Sequence, residues 1–250
     1  MNKNDSLYLA AIGAVGGISR SKTLKLVQAL GSAQAVYEAE PQQFLAAGVV
    51  KEVAVAAFTD KRRKDMPGRL QRFCDQQGVR LISYQDAYYP QSLLRIADPP
   101  LVLYVKGALP TAGYALAVVG SRECTEYGKK AAKLFTKDLA QRGIPIISGG
   151  ARGIDTEAHE ACLSVGGKTV AVLGCGLDIA YPEENAGLFE RIVRSGGAVI
   201  SEYAPGMRPL AKNFPARNRI IVGLSQGVLV AEAKLKSGAI ITANIAADEG

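Results

Sequence analysis

Residues 148–155 read Ser-Gly-Gly-Ala-Arg-Gly-Ile-Asp, directly after the apolar run 144–147 and directly before the helix-like segment 156–163. A strand, a turn with three glycines in five residues, then a helix start is how α/β proteins build an anion site. Glycines let backbone N–H groups approach a phosphate, and the helix N-terminus adds partial positive charge. Asp155 fits the N-cap, where a carboxylate satisfies orphan N–H groups. Arg152 lies inside the turn with a guanidinium fork that matches phosphate oxygens. A tight strand-to-helix turn with no ligand would read the same in isolation. Recurrence counts against that reading, because similar turns close the neighbouring strands.

From about residue 80 onward, short apolar runs alternate with helical stretches. The strand-like runs are 80–84, 101–105, 114–119, 144–147, 169–173, 198–201 and 227–232. Each holds few polar residues, as strands covered on both faces do. The helical stretches between them are 126–142, 156–165, 183–194 and 217–224. This order predicts a doubly wound, mainly parallel sheet of Rossmann-like type, with ligands beyond the C-terminal strand ends. Those ends carry Gly120-Ser121-Arg122, the 148–155 turn, Gly174-Cys175-Gly176-Leu177-Asp178 with Tyr181-Pro182, and Ser201-Glu202-Tyr203. A basic segment follows, Lys212-Asn213-Phe214-Pro215-Ala216-Arg217-Asn218-Arg219.

The first part reads differently. Leu7, Leu9 and Ile12 lead to a Gly16-Gly17 break, and Leu24, Leu26, Val27 and Leu30 recur at helical spacing. Gly31 ends that helix and Ser32 caps the next, where Val36, Tyr37, Phe44 and Leu45 continue the pattern. This resembles sterile-alpha-motif or helix-hairpin-helix modules, and packing or protein contact is the favoured role. The expected division is a small helical domain over 1–75 and an α/β domain over 76–250. The run Asp60-Lys-Arg-Arg-Lys64 reads as a solvated, mixed-charge helix face.

The net charge of +7 suits a polyanionic partner. Its distribution is uneven: residues 1–110 hold 14 Lys+Arg against 9 Asp+Glu, and residues 111–250 hold 16 against 14. Any anion site in the second part therefore depends on placing a few arginines well. No apolar run reaches the ~18 residues of a membrane span. The N-terminus shows no cleavage-site pattern, and the four scattered cysteines form neither a zinc pattern nor a disulfide framework. A reducing cytoplasm is the expected location, and Cys175 the expected small buried filler.

The strand ends argue against several chemistries. The first turn lacks G-x-G-x-x-G, and the strand before Gly149 does not end in an acidic residue for a ribose hydroxyl, so no dinucleotide cofactor is expected. No nucleophile elbow, metal-spaced carboxylate cluster or Walker A pattern occurs. His159, the only histidine, reads as a packing or hydrogen-bonding residue. Glu232 reads as a cap that also neutralises an arginine-rich rim. That rim is Arg122, Arg152, Arg217 and Arg219, with Ser121 and Ser148 as hydroxyl donors. Phe214, held extended or in a turn by the following proline, suits stacking on a base. The competing reading makes Phe214 a core residue and Arg217 and Arg219 surface ion-pair partners.

These motifs, with Ala158-His159, Asn185, Ile220-Ile221 and Glu232-Ala233 followed by Ser237-Gly238, resemble the DNA-processing protein A (DprA/Smf) family over roughly residues 80–250. The resemblance implies an extended Rossmann-like domain that binds single-stranded DNA, protects incoming strands during natural transformation and helps load the RecA recombinase. It implies a homodimer with no membrane association, no enzymatic activity and no cofactor or metal. It assigns DNA contacts to Gly120, Ser121, Arg122, Ser148, Gly149, Gly150, Arg152, Gly153, Lys212, Phe214, Arg217, Asn218 and Arg219. Family members usually continue with another strand, and many add a winged helix. The sequence ends at Gly250 after the helix-like segment 239–247, so a C-terminally shortened member is expected. The alternative is a nucleotide-processing enzyme similar to the cytokinin-activating phosphoribohydrolases. Their Pro-Gly-Gly-x-Gly-Thr-x-x-Glu motif corresponds here to residues 236–243, which lack the glutamate.

Overall fold

The computed structural model describes residues 3–62, 64–110, 113–235 and 237–249. Arg63 of the basic run, Lys236 of the 236–243 stretch, the first two residues and Gly250 lie outside them. The chain divides into two compact units, residues 1–89 with 100–103 and residues 90–99 with 104–250.

Among the described residues the first unit holds six helices: α1 (Lys3–Val15), α2 (Arg20–Leu30), α3 (Ala33–Glu38), α4 (Pro41–Ala46), α5 (Glu52–Lys61) and α6 (Met66–Gln77). Glycine and serine punctuate them as expected. Gly31 ends α2 at φ 91°, and Ser32 Oγ accepts from Ala35 N at 3.0 Å to start α3. Ile12, Leu26, Val36, Phe44 and Phe58 form the buried centre, each worth roughly 1.5–3 kcal/mol relative to exposure. Strand β1 (Val79–Ser83) packs on α1 and α6, so this unit runs past the boundary expected at 75/76. Arg62 also departs from the solvated-face reading. Its Nη1 donates to Tyr37 O and Ala39 O, both at 2.7 Å, because α5 ends one residue earlier and leaves the side chain free to turn inward.

The second unit is the expected doubly wound sheet. Its strands are β2 (Val102–Gly107, from Tyr104 on), β3 (Leu116–Gly120), β4 (Ile146–Ser148), β5 (Thr169–Leu173), β6 (Ala198–Ser201) and β7 (Val228–Glu232). They lie in the order β2-β6-β5-β4-β3-β7; the β2–β6 pair is antiparallel and the rest are parallel. Helices α7 (Glu126–Gln141), α8 (Ile154–Ser164) and α9 (Ala186–Arg194) link β3 through β6. Right-handed crossovers put these three on one face, since the chain steps in one direction. Helix α10 (Asn213–Gly223) then returns to β7 on the far side of β3, which places it on the other face with α11 (Gly238–Glu249). The reversal makes the β3/β7 edge the topological switch point, where open α/β sheets take ligands.

Two local expectations change. Phe214 and Pro215 lie inside the first turn of α10 rather than in extended chain ahead of it. Proline is tolerated there because first-turn N–H groups have no intrahelical partner. Gly153, at φ 75° and ψ −127°, takes the N-cap of α8 instead of Asp155, which sits one turn-position inside the helix. An added Cβ on Gly153 would lie 2.3 Å from Ser121 O, so no other residue fits the approach of this turn to the end of β3.

His159 fastens α8 to the sheet. Thr169 Oγ1 donates to Ile146 O at 2.8 Å, so it accepts from His159 Nδ1 at 2.7 Å, which assigns the imidazole proton to Nδ1. The ring is fully buried, and burial, with a smaller effect of the Arg217 charge, holds its pKa down to about 3 from the ordinary 6.5. A depressed folded-state value means the unfolded chain takes up the proton first as pH falls. The stabilisation is therefore complete above about 6.5 and drains away towards about 3. The stability advantage of the wild type over His159→Gln should shrink by about 2 kcal/mol between about pH 7 and about pH 5 in urea unfolding. A constant gap would show that His159 is protonated within the fold.

Candidate functional site

A groove of about 550 Å³ opens at the switch point. The end of β3 supplies Gly120, Ser121 and Arg122; α10 supplies Phe214, Arg217 and Asn218; and the start of α11 forms the far wall. At its mouth a smaller pocket lies between Arg122, Tyr181, Phe214 and the 149–152 turn.

An aromatic and cationic stack marks that mouth. The Arg122 guanidinium stands 5.1 Å from the centroid of the Phe214 ring, within cation–π range. Tyr181 meets the same ring at 5.4 Å with a 37° tilt. Phe214 can approach the sheet because Gly174 lies beneath it: a Cβ there would be 3.0 Å from Phe214 Cδ1. Both rings remain partly exposed. Tyr181 lies outside the residues expected to contact DNA; its one sequence signal is an aromatic in a strand-end motif.

The four arginines expected on one rim are in four different situations. Arg122 is exposed and, among the described residues, forms no ion pair. Arg152 lines the small pocket, but its Nε and Nη2 fork onto both oxygens of Glu184, the Nη2–Oε2 bond being 2.9 Å. Arg219 leaves the groove altogether. Its Nη1 and Nη2 donate to Glu202 at 2.7 Å each, and its Nε donates to Asp98 O at 2.7 Å. Arg219 lies two positions after Arg217, about 200° around a helix, so the two side chains cannot share a face.

Arg217 is buried, at 4% exposure. Its Nη1 donates to Gly149 O at 2.7 Å and to Val172 O, and its Nε donates to Asn218 Oδ1 at 3.2 Å. Burial lowers its pKa, with the Asp155 charge acting against that shift. Burial likewise raises the Asp155 pKa, offset in part by Arg217 and by the Ala151 N–H, 3.2 Å from Oδ2. The pair forms a neutralised support under the turn, with one edge of Arg217 reaching the groove wall.

The glycines of the turn answer to packing first. A Cβ on Gly149 would fall 2.7 Å from both Arg217 Nη2 and Asp155 Oδ2, and one on Gly150 (φ 67°) would fall 2.9 Å from Phe189. Ser148 is fully buried and donates to Val118 O at 2.7 Å, with the Asp155 carboxylate beside its hydroxyl. Ser121 Oγ donates to Glu123 O at 2.9 Å and shapes the turn that carries Arg122 outward. Asn218 Nδ2 donates to Gly238 O at 3.3 Å, tying α10 to the start of α11. Lys212 is exposed at the start of α10, outside the lining of either cavity. Glu232 caps α7 rather than neutralising arginines: Thr125 Oγ1 donates to it at 2.7 Å and Thr125 N at 3.0 Å. Cys175 is buried, and burial pushes its thiol up to about 11, as suits a core filler. Among the described residues no group of three or more His, Cys, Asp or Glu could hold a metal ion, and no helix is long and apolar enough to cross a membrane.

The family model described as DNA recombination-mediator protein A matches residues 80–250. The chain belongs to that family. Protein Smf of Escherichia coli is 47% identical over 177 residues, covering 70% of this chain and 47% of that protein. Protein Smf of Synechocystis is 37% identical over 254 residues, 98% of this chain and 63% of that one. DNA processing protein DprA of Streptococcus pneumoniae is 47% identical over 169 residues, 67% of this chain and 59% of that one. The matches thus span about half to three fifths of the curated relatives' own length. The X-ray structure of the Streptococcus pneumoniae protein aligns with a TM-score of 0.78 at 35% identity, over 100% of this chain and 84% of that chain. DNA processing protein A of Helicobacter pylori, whose structure concerns its single-stranded DNA binding mode, aligns with a TM-score of 0.61 at 32% identity, over 68% of this chain and 77% of that one.

Two substitutions test the support under the turn. Arg217→Ala leaves the Asp155 carboxylate buried without its counter-charge and should cost about 3–5 kcal/mol. Gly149→Ala overpacks the same spot and should cost about 1–3 kcal/mol. Both should lower the urea midpoint with little change in slope; midpoints matching the wild type would refute the assigned role.

Proposed function

We propose that the second unit binds single-stranded DNA along the groove at the β3/β7 switch point. The observation that carries this reading is the stack of Arg122 on Phe214 beside Tyr181 at the groove mouth. A half-buried aromatic with an unpaired guanidinium over it offers one surface for a base and one charge for the adjoining phosphate. Stacking of that kind accepts any base, so little sequence preference is expected. Arg122 and Phe214 make the primary contacts, with Tyr181 widening the platform. Gly120, Ser121, Gly149, Gly150, Gly153, Arg217 and Asn218 shape and support it, and Lys212 adds charge at its edge. The chain then acts as a non-enzymatic recombination mediator. In the cytoplasm, as a homodimer, it protects incoming strands during natural transformation and assists RecA loading. Family membership and the Helicobacter pylori relative support this reading. A nucleotide-cleaving role finds less support, since the nearby carboxylates Glu232 and Asp155 are engaged with Thr125 and Ala151.

Fluorescence anisotropy of an oligothymidine of about 20–35 nucleotides, at two salt concentrations and against a duplex of equal length, tests the proposal. Single-strand-selective binding that weakens with salt is expected. Phe214→Ala should cost about 1–3 kcal/mol of binding. Arg122→Ala should weaken binding to all sequences and flatten the log–log salt slope by about 0.7, the value for one lost phosphate contact on a single strand. No binding at low salt, or release of free base from a nucleoside monophosphate, would overturn it.

A further inference from the structure

Glu184 sits in the short turn Glu183–Asn185 that follows Tyr181 and Pro182. Asn185 anchors this turn from below: its Nδ2 donates to Gly150 O at 3.0 Å and to Thr156 Oγ1 at 2.9 Å. The anchoring holds the Glu184 carboxylate across the glycine turn from Arg152, 32 residues away in sequence. Both carboxylate oxygens engage the guanidinium fork, the geometry with which arginine otherwise grips a phosphate. Both side chains are about half exposed, so water and a ligand can reach them. Arg152 also lines the pocket that holds Arg122, Tyr181 and Phe214.

We infer that Glu184 is an internal competitor of the nucleic-acid backbone: its carboxylate occupies the Arg152 fork that a phosphate next to the aromatic stack would take. The inference rests on the proposed reading of the groove. A strand that reaches Arg152 must exchange one anion for another, so this arginine adds less to affinity than its position suggests. The freed carboxylate also draws a cation from solution, which cancels part of the counterion release that drives binding. Glu184 thereby limits how tightly the groove holds any one stretch of strand, a useful property in a protein whose proposed task includes handing the strand on.

The test is a set of variants in the same oligothymidine assay: Glu184→Gln, Glu183→Gln, Arg152→Ala, and Arg152→Ala with Glu184→Gln. Glu184 is exposed, so its replacement should leave the fold intact, checked by thermal unfolding. Glu184→Gln should bind about 2- to 5-fold tighter at low salt, the fold-range of an exposed ion pair. Its salt slope should steepen by up to about 0.7. Glu183→Gln removes the same charge without freeing Arg152 and should gain clearly less. In the Arg152→Ala background the Glu184→Gln gain should vanish. Equal gains from Glu183→Gln and Glu184→Gln, or a gain that survives loss of Arg152, would overturn the inference while leaving the groove reading standing. Absence of binding in the wild type and in every variant would overturn the groove reading, and the inference with it.

Discussion

The buried guanidinium of Arg217 is the contact on which the site is built. Its bonds to Gly149 O and Val172 O fix α10 against the ends of two adjacent parallel strands. Phe214 lies three residues earlier on the same helix, so whatever holds Arg217 also sets the ring that faces the groove. The demand runs outward from there. The guanidinium needs a neighbour without a side chain, which explains Gly149, and an opposite charge, which explains Asp155. A charge so placed is expensive to desolvate, and its bonds to buried carbonyls, with Asp155 nearby, are what make it tolerable.

This separates two roles that look alike in sequence. Arginines beside glycine-rich turns suggest a phosphate cradle, and the part of the chain that holds them has 16 basic against 14 acidic side chains. The near-balance is carried down to individual residues. Glu184 takes Arg152, Glu202 takes Arg219 and Asp155 offsets Arg217. Only Arg122 of the four remains unpaired among the described residues. Local pairing, not total charge, therefore decides where an anion is attracted.

The sheet was legible because its strands are buried on both faces and appear as uninterrupted apolar runs. All seven runs became strands within a few residues of the expected bounds. The glycines were legible as a turn, but their cause was not, since the atoms that forbid a Cβ come from Arg217, Phe189 and Ser121, distant in the chain. The partners of Arg152 and Arg219 were hidden for the same reason, lying 32 and 17 residues away. The start of α10 is hidden because Pro215 restricts the residue before it and yet fits a first helical turn. The exposed stack was half legible: Phe214 and Arg122 were each singled out, but their approach depends on Gly174, which reads as an ordinary strand-end glycine.

Why Arg122 stays free follows from the geometry at the end of β3. The pairing of β3 with β7 slips between Val119 and Gly120, so Gly120 lies opposite Glu232. A Cβ on Gly120 would sit 2.5 Å from Ile154, so the missing side chain lets α8 close over this point. Ser121 then bonds back to Glu123, and the chain turns with Arg122 at its outer corner. The acids around this turn are drawn elsewhere, Asp155 being buried beside Arg217. Glu123 meets Lys234 at 3.0 Å, and Glu232 is held by the backbone and hydroxyl of Thr125 at the start of α7. With these acids engaged, the Arg122 guanidinium rests on the face of Phe214. A cation resting on an aromatic ring gives up little on leaving it, about 0.5–1 kcal/mol at an exposed site. On the proposed reading, that small cost is what lets a base and its phosphate enter the stack.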